Sequence, residues 1–399
     1  MNPFHATIDR IRGKLIEFRH DLHAHPELAF EEHRTSARVV EELKKLPGLK
    51  IETGIAGTGV VATLNAGKPG KCVALRGDMD CLPIEEQNTF AYKSKHAGRM
   101  HACGHDGHTT CLLGAAMVLS EHADKLPGRV KFVFQPAEEG GGGGGIMVKQ
   151  GILEGVDAAF ALHGWPETKV GTVGSGAGPM LAATAEFDIE IRGRQAHAAY
   201  PQASRDPIVA AAYIVTALQT VVARSSPPLE PVVVSVCRMH GGTAYNIIPE
   251  TATLAGTVRC YSTEMQRRTF EALSRVVEST AAAFGCQANV TIKEGYPAMV
   301  NDADCVALVN QVAADLLGPD NVEKDPPRSL GGEDFAYFAE KVPSGFWRLG
   351  VCPADRDDYP KLHQPLYDFN DDAIPIGVAM HCEIARRFLV GRQHQNPAC

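Results

Sequence analysis

The segment RVKFVFQPAEE, residues 129–139, decides the fold class of this chain. Its first six residues form a short apolar run that predicts a buried β-strand, and two adjacent carboxylates, Glu138 and Glu139, follow where that strand ends. Other runs of this kind alternate along the chain with helical patterns, at residues 59–64, 72–75 and 157–162. This alternation predicts an α/β sheet that is covered by helices on both faces.

The pattern changes near residue 183. Residues 184–298 show the order β-α-β-β-α-β, which is typical of a ferredoxin-like unit. The α/β pattern resumes after them, with a helix near 305–317 and a last helix near 373–390. We therefore predict a larger α/β domain formed by residues 1–183 and 299–399, with a small domain of residues 184–298 inserted into it.

Composition excludes several classes of protein. Of the 399 residues, 44% are hydrophobic and 22% are charged, so the chain is neither disordered nor fibrous. A formal net charge of −8 argues against a protein that coats nucleic acid. We find no apolar run of the ~18 residues that a membrane span needs, and no secretory signal in the polar residues 1–14. Eleven scattered cysteines indicate free thiols, so we predict a cytoplasmic protein with no membrane partner.

A dense cluster of histidine and cysteine occurs at HACGHDGH, residues 101–108. Cys103 and His105 are two residues apart, so their side chains point the same way in extended backbone. Thiolate and imidazole are suitable ligands for a divalent metal. The alternative is a polar loop that caps a helix. We expect metal binding, and we expect His108, at the start of the next helix, to be structural.

Four further segments carry candidate site residues, and three of them lie at the ends of predicted strands. Of the pair Glu138 and Glu139, one can bind metal while the other handles a proton, although such a pair is more often a solvated face. His163 ends one strand, and His363 shortly precedes the last helix; each is equally compatible with a core or loop histidine. Asp80 lies in a turn from which it can orient a ligating histidine.

Taken together and in this order, these segments resemble the M20 metallopeptidase and amidohydrolase family, in its branch of hippurate hydrolases, N-acyl-amino-acid amidohydrolases and auxin-conjugate hydrolases. The resemblance runs nearly end to end. It is carried by RHDLHAHPEL at 19–28, Asp78-Met79-Asp80, the 101–108 cluster, Glu138-Glu139, His163, His197, the loop at Asn246, GGEDF at 331–335, and His363. It implies a mixed-sheet catalytic domain of the zinc-exopeptidase type, with 184–298 as a ferredoxin-like lid or dimerisation domain.

The resemblance also implies the chemistry of the site. Two divalent metal ions (Zn, Mn, Co or Ni) would be held by Cys103, His105, Glu139, His163 and His363. Cys103 would take the bridging position that other branches fill with Asp. Glu138 would be the general base, and Asp80 would steady His105. The remaining roles would fall to His197 as oxyanion donor and to Asn246 and Arg259 as substrate contacts.

The function that the resemblance implies is hydrolysis of the amide bond of N-acyl-L-amino acids, with hippurate-like substrates. A dipeptidase, a carboxypeptidase or an N-acetyl-diaminopimelate deacetylase on the same scaffold stays open. A non-catalytic metal- or peptide-binding protein and a cysteine hydrolase that uses Cys103 are more remote alternatives. The resemblance further implies a homo-oligomer, a dimer or tetramer, formed through the inserted domain.

Overall fold

A computed structural model describes residues 3–391, and these residues form two compact units. The first comprises residues 3–178, Val300–Pro327 and 337–391. The second comprises Pro179–Met299 and Arg328–Ala336. The sequence predicts that the last of these segments belongs with residues 299–399, but its contacts place it with the second unit.

Helices and strands follow one another along both units. The helices are α1 (His5–Ala24), α2 (His33–Leu43), α3 (His105–Glu121), α4 (Gly143–Lys149), α5 (Pro207–Thr220), α6 (Thr263–Ala283), α7 (Ala303–Leu317), α8 (Ala336–Ala339) and α9 (Ile374–Val390). The strands are β1 (Leu49–Ile55), β2 (Gly59–Leu64), β3 (Cys72–Asp78), β4 (Arg129–Gln135), β5 (Ala158–Lys169), β6 (Val173–Gly174), β7 (Gly178–Leu181), β8 (Ala183–Arg192), β9 (Ala196–His197), β10 (Val232–Gly241), β11 (Ile247–Ile248), β12 (Thr251–Cys260), β13 (Gln287–Glu294), β14 (Met299–Asn301), β15 (Val322–Glu323) and β16 (Ser344–Cys352).

The first unit is built on an eight-stranded sheet in the order β1-β2-β4-β3-β5-β16-β6-β15. Its centre is parallel, since β3 pairs in parallel with β4 and β5, and β5 with β16. Antiparallel pairs flank this centre at β1–β2, β2–β4 and β16–β6, and the last pair, β6–β15, is parallel. All residues of β3 and β16 are buried, as expected for strands covered on both faces. The predicted mixed-sheet α/β fold is confirmed.

The parallel strands β3, β4 and β5 bring polar residues to one edge of this sheet. Asp78 is the last residue of β3, and Glu138 and Glu139 follow closely on β4. His163 differs from expectation, because it lies inside β5 and does not end it. The strand continues to Lys169, since its later residues keep their pairing with β16.

The second unit contains a four-stranded antiparallel sheet in the order β10-β12-β8-β13. Together with α5 and α6, its strands follow the chain order β-α-β-β-α-β that the sequence predicts. Residues of β8 alternate between buried and more exposed positions, and Phe187, Ile189 and Ile191 face the core. That core also contains Leu218 of α5 and Leu273 of α6.

One described helical segment, Pro207–Ser225, is long and apolar enough to cross a membrane by length and composition alone. The sequence search for an unbroken apolar run does not find it, because Thr216, Gln219 and Arg224 interrupt the segment. Its residues Ala210 and Ile214 are buried in the core of the second unit. A buried core helix meets the same criterion, and 28% of this segment is buried.

Candidate metal centre

Two glycines give the 101–108 loop its shape. Gly104 has a φ of 87°, and a Cβ atom there would lie 2.8 Å from the hydroxyl of Tyr367. A Cβ atom at Gly107 would overlap the ring of Phe369. Since only glycine tolerates both conditions, the sequence CGHDG folds into a tight turn that leads directly into α3. The helix therefore begins at His105, which is earlier than the predicted start at His108.

The thiol of Cys103 lies in two clusters of candidate metal ligands. One cluster joins it to His105 and His163, and the other joins it to Glu139 and His363. Within each cluster, one ligand atom from each residue lies within 4.8 Å of the others. The Cys103 Sγ atom is 3.4 Å from Nε2 of His163. One sulfur atom shared by two clusters is an arrangement that can bridge two cations.

The opposite wall of the centre is formed by Glu139. Its Oε1 atom lies 3.2 Å from Nε2 of His363 and 4.0 Å from Nε2 of His105. Both Glu139 Oε1 and His105 Nε2 are buried and make no hydrogen bond within residues 3–391. Buried polar atoms without partners are costly, and these two face each other among sulfur, nitrogen and oxygen donors. The residues therefore fit a divalent transition-metal ion.

Hydrogen bonds behind the centre orient its side chains. The Nδ1 atom of His105 lies 3.1 Å from Oδ1 and 2.9 Å from the backbone O of Asp80, so Nε2 faces the cluster. The other carboxylate oxygen of Asp80 accepts the amide of Glu139 at 2.9 Å. His163 donates from Nδ1 to the carbonyl of Gly164 at 2.9 Å. Asp80 thus aligns two members of the site, as predicted for one of them.

The charges of the centre are unbalanced without a cation. Burial alone would lower the pKa of His105, but Asp78, Asp80 and Glu139 raise it to about 10. Burial raises the pKa of the Cys103 thiol well above its usual value, and Glu139 raises it further. Burial also holds the pKa of His163 well below its usual value, so this imidazole is neutral and able to coordinate. A bound cation would neutralise the carboxylates and favour the Cys103 thiolate.

The other two histidines of the 101–108 loop do not belong to the two clusters around Cys103. His108 uses both ring nitrogens, because Nδ1 lies 2.7 Å from Oδ1 of Asp78 and Nε2 accepts the amide of Gly164 at 2.7 Å. These contacts support the structural role that the sequence predicts, although His108 also lies in a third group of candidate ligands with Asp78 and His105. His101 is buried with its ring 6.3 Å from that of His23, and it joins no ligand cluster among the described residues.

Two residues of the site have left-handed backbone conformations that their side chains disfavour. Ala137 has a φ of 55°, and its amide donates to Glu32 at 2.9 Å. This turn leads into the buried Glu138. Its carboxylate lies within 4.8 Å of ligand atoms of His105 and Glu139. His363 has a φ of 64°, and its amide donates to the carbonyl of Ala102 at 2.8 Å. Such strain is commonly found at functional sites.

The predicted oxyanion donor, His197, and one predicted substrate contact, Asn246, lie together in the second unit. His197 on β9 pairs with β11, and the amide of Ala198 donates to the carbonyl of Asn246 at 3.0 Å. The amide of Ala199 donates to Nδ1 of His197 at 3.1 Å. A neutral imidazole at this position therefore carries its proton on Nε2, which is the form that can donate to an oxyanion.

Arg259 lies at the other end of the same unit. His197 and Asn246 adjoin the end of β12 that begins at Thr251, whereas Arg259 is eight residues further along that strand. At about 3.3 Å per residue, eight steps separate the two ends by about 26 Å. Arg259 is half-buried and donates to the carbonyl of Val258 at 2.9 Å. The structure brings His197 and Asn246 together and does not bring Arg259 to them.

The sequence alone indicates no role for several residues that support the centre. Glu32 holds the turn before Glu138, and Phe369 packs against the 101–108 loop. Arg19 and His23 are part of the 19–28 motif, but the motif does not reveal what they contact. Their partners lie far away in the sequence, so no local pattern identifies them.

The chain is similar over most of its length to proteins of known name. It is 42% identical to the IAA-amino acid hydrolase ILR1-like 2 of Arabidopsis thaliana, over 94% of this chain and 85% of that protein. It is 40% identical to the N-acetyl-L-cysteine deacetylase of Bacillus subtilis, over 97% of this chain and 91% of that protein. The solved structure of the Bacillus subtilis YXEP protein is described as a dinuclear metal binding peptidase from the M20 family. It superposes on this chain with a TM-score of 0.84 at 34% identity, over 96% of this chain and 99% of that chain.

The family is established by a match over most of the chain. The model of Peptidase family M20/M25/M40 matches residues 74–387, a range that contains both ligand clusters, Glu138, His197, Asn246 and Arg259. This match confirms the resemblance drawn from the sequence. The chain belongs to Peptidase family M20/M25/M40.

Proposed function

We propose that this chain is a metal-dependent amidohydrolase that cleaves N-acyl-L-amino acids, hippurate-like ones among them, into a carboxylic acid and a free amino acid. The observation that carries the proposal is the pair of ligand clusters that share Cys103, with a second buried carboxylate, Glu138, beside them. The names of the two curated relatives, a hydrolase of an amino-acid conjugate and a deacetylase of an N-acetyl amino acid, support the substrate class.

The two divalent ions would be held by the residues of the two clusters. We assign Cys103, His105 and His163 to one ion, and Cys103, Glu139 and His363 to the other. The donor set of sulfur, imidazole and carboxylate suits Zn, Mn, Co or Ni. When bound, a pair of such ions lowers the pKa of a shared water and polarises the amide carbonyl of the substrate.

The side chains of the protein carry out the remaining steps. The Glu138 carboxylate accepts the proton of the attacking water and passes it to the nitrogen of the leaving amine. Nε2–H of His197 donates to the oxygen on which negative charge develops. Asn246 contacts the substrate amide, and the guanidinium of Arg259 pairs with the substrate carboxylate.

The separation between Arg259 and His197 determines whether one substrate can contact both residues of the same chain. One small substrate cannot contact both within a single chain, because about 26 Å of strand lies between their ends of the sheet. We therefore propose a homo-oligomer, a dimer or tetramer formed through the inserted domain, in which His197 and Asn246 serve the site of the partner subunit.

Co-expression of two inactive chains tests this arrangement. His197→Ala alone is expected to lower kcat by about 10²–10³-fold, because one oxyanion donor is lost. When His197→Ala chains and Glu138→Gln chains assemble at random into dimers, half of the dimers are mixed and each has one intact site, so we expect about a quarter of the parental activity. Differently tagged chains, purified together and assayed, provide the measurement. Activity no higher than that of the separate variants would place His197 in its own chain's site.

A substrate panel tests the reaction itself. We expect kcat/KM for N-benzoyl- and N-acetyl-L-amino acids to be at least about tenfold above that for dipeptides. Both kinds of substrate are amides, so the difference comes from the contacts of the acyl group with its pocket. Chromatography of the products against N-acyl amino acids, dipeptides and N-acetyl-diaminopimelate provides the comparison. A preference for dipeptides or for N-acetyl-diaminopimelate would replace the proposed substrate class with one of the alternatives.

The compartment stays a prediction, and we propose the cytoplasm. Its support is that the ten cysteines within the described residues are all free. We propose no nucleic-acid or membrane partner.

A further inference from the structure

Helix α1 presents two basic side chains, Arg19 and His23, to the interior of the first unit. Arg19 and His23 are one helical turn apart, and both are completely buried. Placing charge in a protein interior is costly unless the group is paired and hydrogen-bonded. The partners of Arg19 and His23 therefore indicate what these residues are for.

His23 connects α1 to the first turn of α3. Its Nδ1 atom lies 2.9 Å from Oδ2 of Asp106, and its Nε2 atom lies 3.2 Å from Oε1 of Glu86. Asp106 directly follows His105, which faces the metal centre. His23 therefore contacts the residue next to a candidate metal ligand. Glu86 is itself anchored by the amide of Ser94 at 2.6 Å.

Arg19 connects the same helix to the segment that follows His363. Its Nη1 atom lies 2.8 Å from Oδ1 of Asp368 and also donates to the carbonyl of Phe369. Its Nε atom lies 2.9 Å from Oδ1 of Asp371. The same guanidinium is 3.7 Å from Oδ2 of Asp106. One side chain thus lies between Asp106, which follows His105 directly, and the segment 368–371, which follows His363.

The ring of Phe369 extends this connection to a third segment. A Cβ atom at Gly107 would overlap that ring, and a Cβ atom at Gly164 would lie 2.9 Å from it. Gly164 follows His163 directly. Phe369, whose carbonyl Arg19 binds, therefore packs between the loop of His105 and the strand of His163.

We propose that Arg19 and His23 are positioning residues of the metal centre, which hold Asp106 and the 368–371 segment so that the ligands on three separate parts of the chain keep their spacing. The proposal rests on the proposed function in one respect, that the clusters around Cys103 bind metal. Neither residue belongs to a ligand cluster, so each acts through its partners.

Zinc affinity measured by competition with a chelator tests the proposal in the full-length protein. We expect His23→Gln and Arg19→Lys each to raise the zinc dissociation constant by about 10–100-fold, as is typical when groups that orient metal ligands are lost. The matched control is Glu42→Gln, which removes a buried carboxylate paired at 2.6 Å with Lys14 of the same helix. Glu42 is not among the partners of Arg19 and His23, so this control is expected to change zinc affinity less than threefold.

Two further readouts separate positioning from loss of folding. Circular dichroism and the unfolding temperature of the metal-free variants show which of them are folded, and a saturating zinc concentration is expected to restore most of kcat. A folded His23→Gln or Arg19→Lys variant that binds zinc as tightly as the control overturns the proposal, as does a kcat that stays low with zinc fully bound. If one variant does not fold, the other decides. A wild type that binds zinc but cleaves no N-acyl amino acid contradicts the proposed function alone.

Discussion

Replacing Glu138 with glutamine is expected to lower kcat by about 10²–10⁴-fold while two metal ions per chain remain bound. The amide has nearly the shape of the carboxylate but cannot accept the proton of the attacking water. Glu138 is in neither cluster around Cys103, although its carboxylate lies near His105 and Glu139 in a third group of candidate ligands, and we expect the metal content to survive. Turnover of an N-acyl amino acid and elemental analysis of the same preparation provide the two measurements.

The adjacent residue supplies the matched control. Glu139→Gln removes a carboxylate that lies 3.2 Å from His363, and it is expected to lose metal together with activity. A Glu138→Gln variant that hydrolyses as fast as the parent would show that the assigned mechanism is wrong. Loss of metal in Glu138→Gln and retention of metal in Glu139→Gln would show that Glu138 is the metal ligand and Glu139 the general base.

Removal of the metal ions is the second large effect. Exhaustive chelation is expected to lower activity by more than about 10³-fold, because polarising the carbonyl and activating the water are worth several kcal/mol. Addition of Mn²⁺, Co²⁺, Ni²⁺ or Zn²⁺ is expected to restore it. Cys103→Ala, which removes the sulfur common to both clusters, is expected to hold at most one ion and to stay inactive after metal is added.

Chelation of the metal ions also tests the alternative of a cysteine hydrolase. Burial and the neighbouring carboxylates raise the pKa of Cys103, so without a cation the thiol is protonated and a poor nucleophile. A cysteine hydrolase would keep its activity after chelation. Survival of activity in the chelated wild type, with loss in Cys103→Ala, would favour that alternative and contradict the metal mechanism.

The parts of the site that the sequence predicts are those that lie in compact motifs. Cys103 and His105 are two residues apart, and Glu138 and Glu139 closely follow β4, whose apolar residues are easily recognised. The mixed sheet is predicted for the same reason, since short apolar runs alternate with helices. His163 and His363 are individually ambiguous, and only the order of all segments together identifies them.

The parts that the sequence does not predict depend on long-range packing. Arg19 bonds the carbonyl of Phe369, which is 350 residues away along the chain. The left-handed backbones of Ala137 and His363 have no glycine to indicate them. The distance of Arg259 from His197 follows from the length of β12 and from the pairing of β9 with β11 next to the start of that strand.

The central claim is that two cations share the sulfur of Cys103, and anomalous diffraction from zinc-loaded crystals at the zinc absorption edge tests it most directly. We expect two peaks, each about 2.3 Å from that sulfur, one beside the imidazoles of His105 and His163 and the other beside Glu139 and His363. The absence of peaks at this thiol, or peaks coordinated by other residues, would contradict the claim.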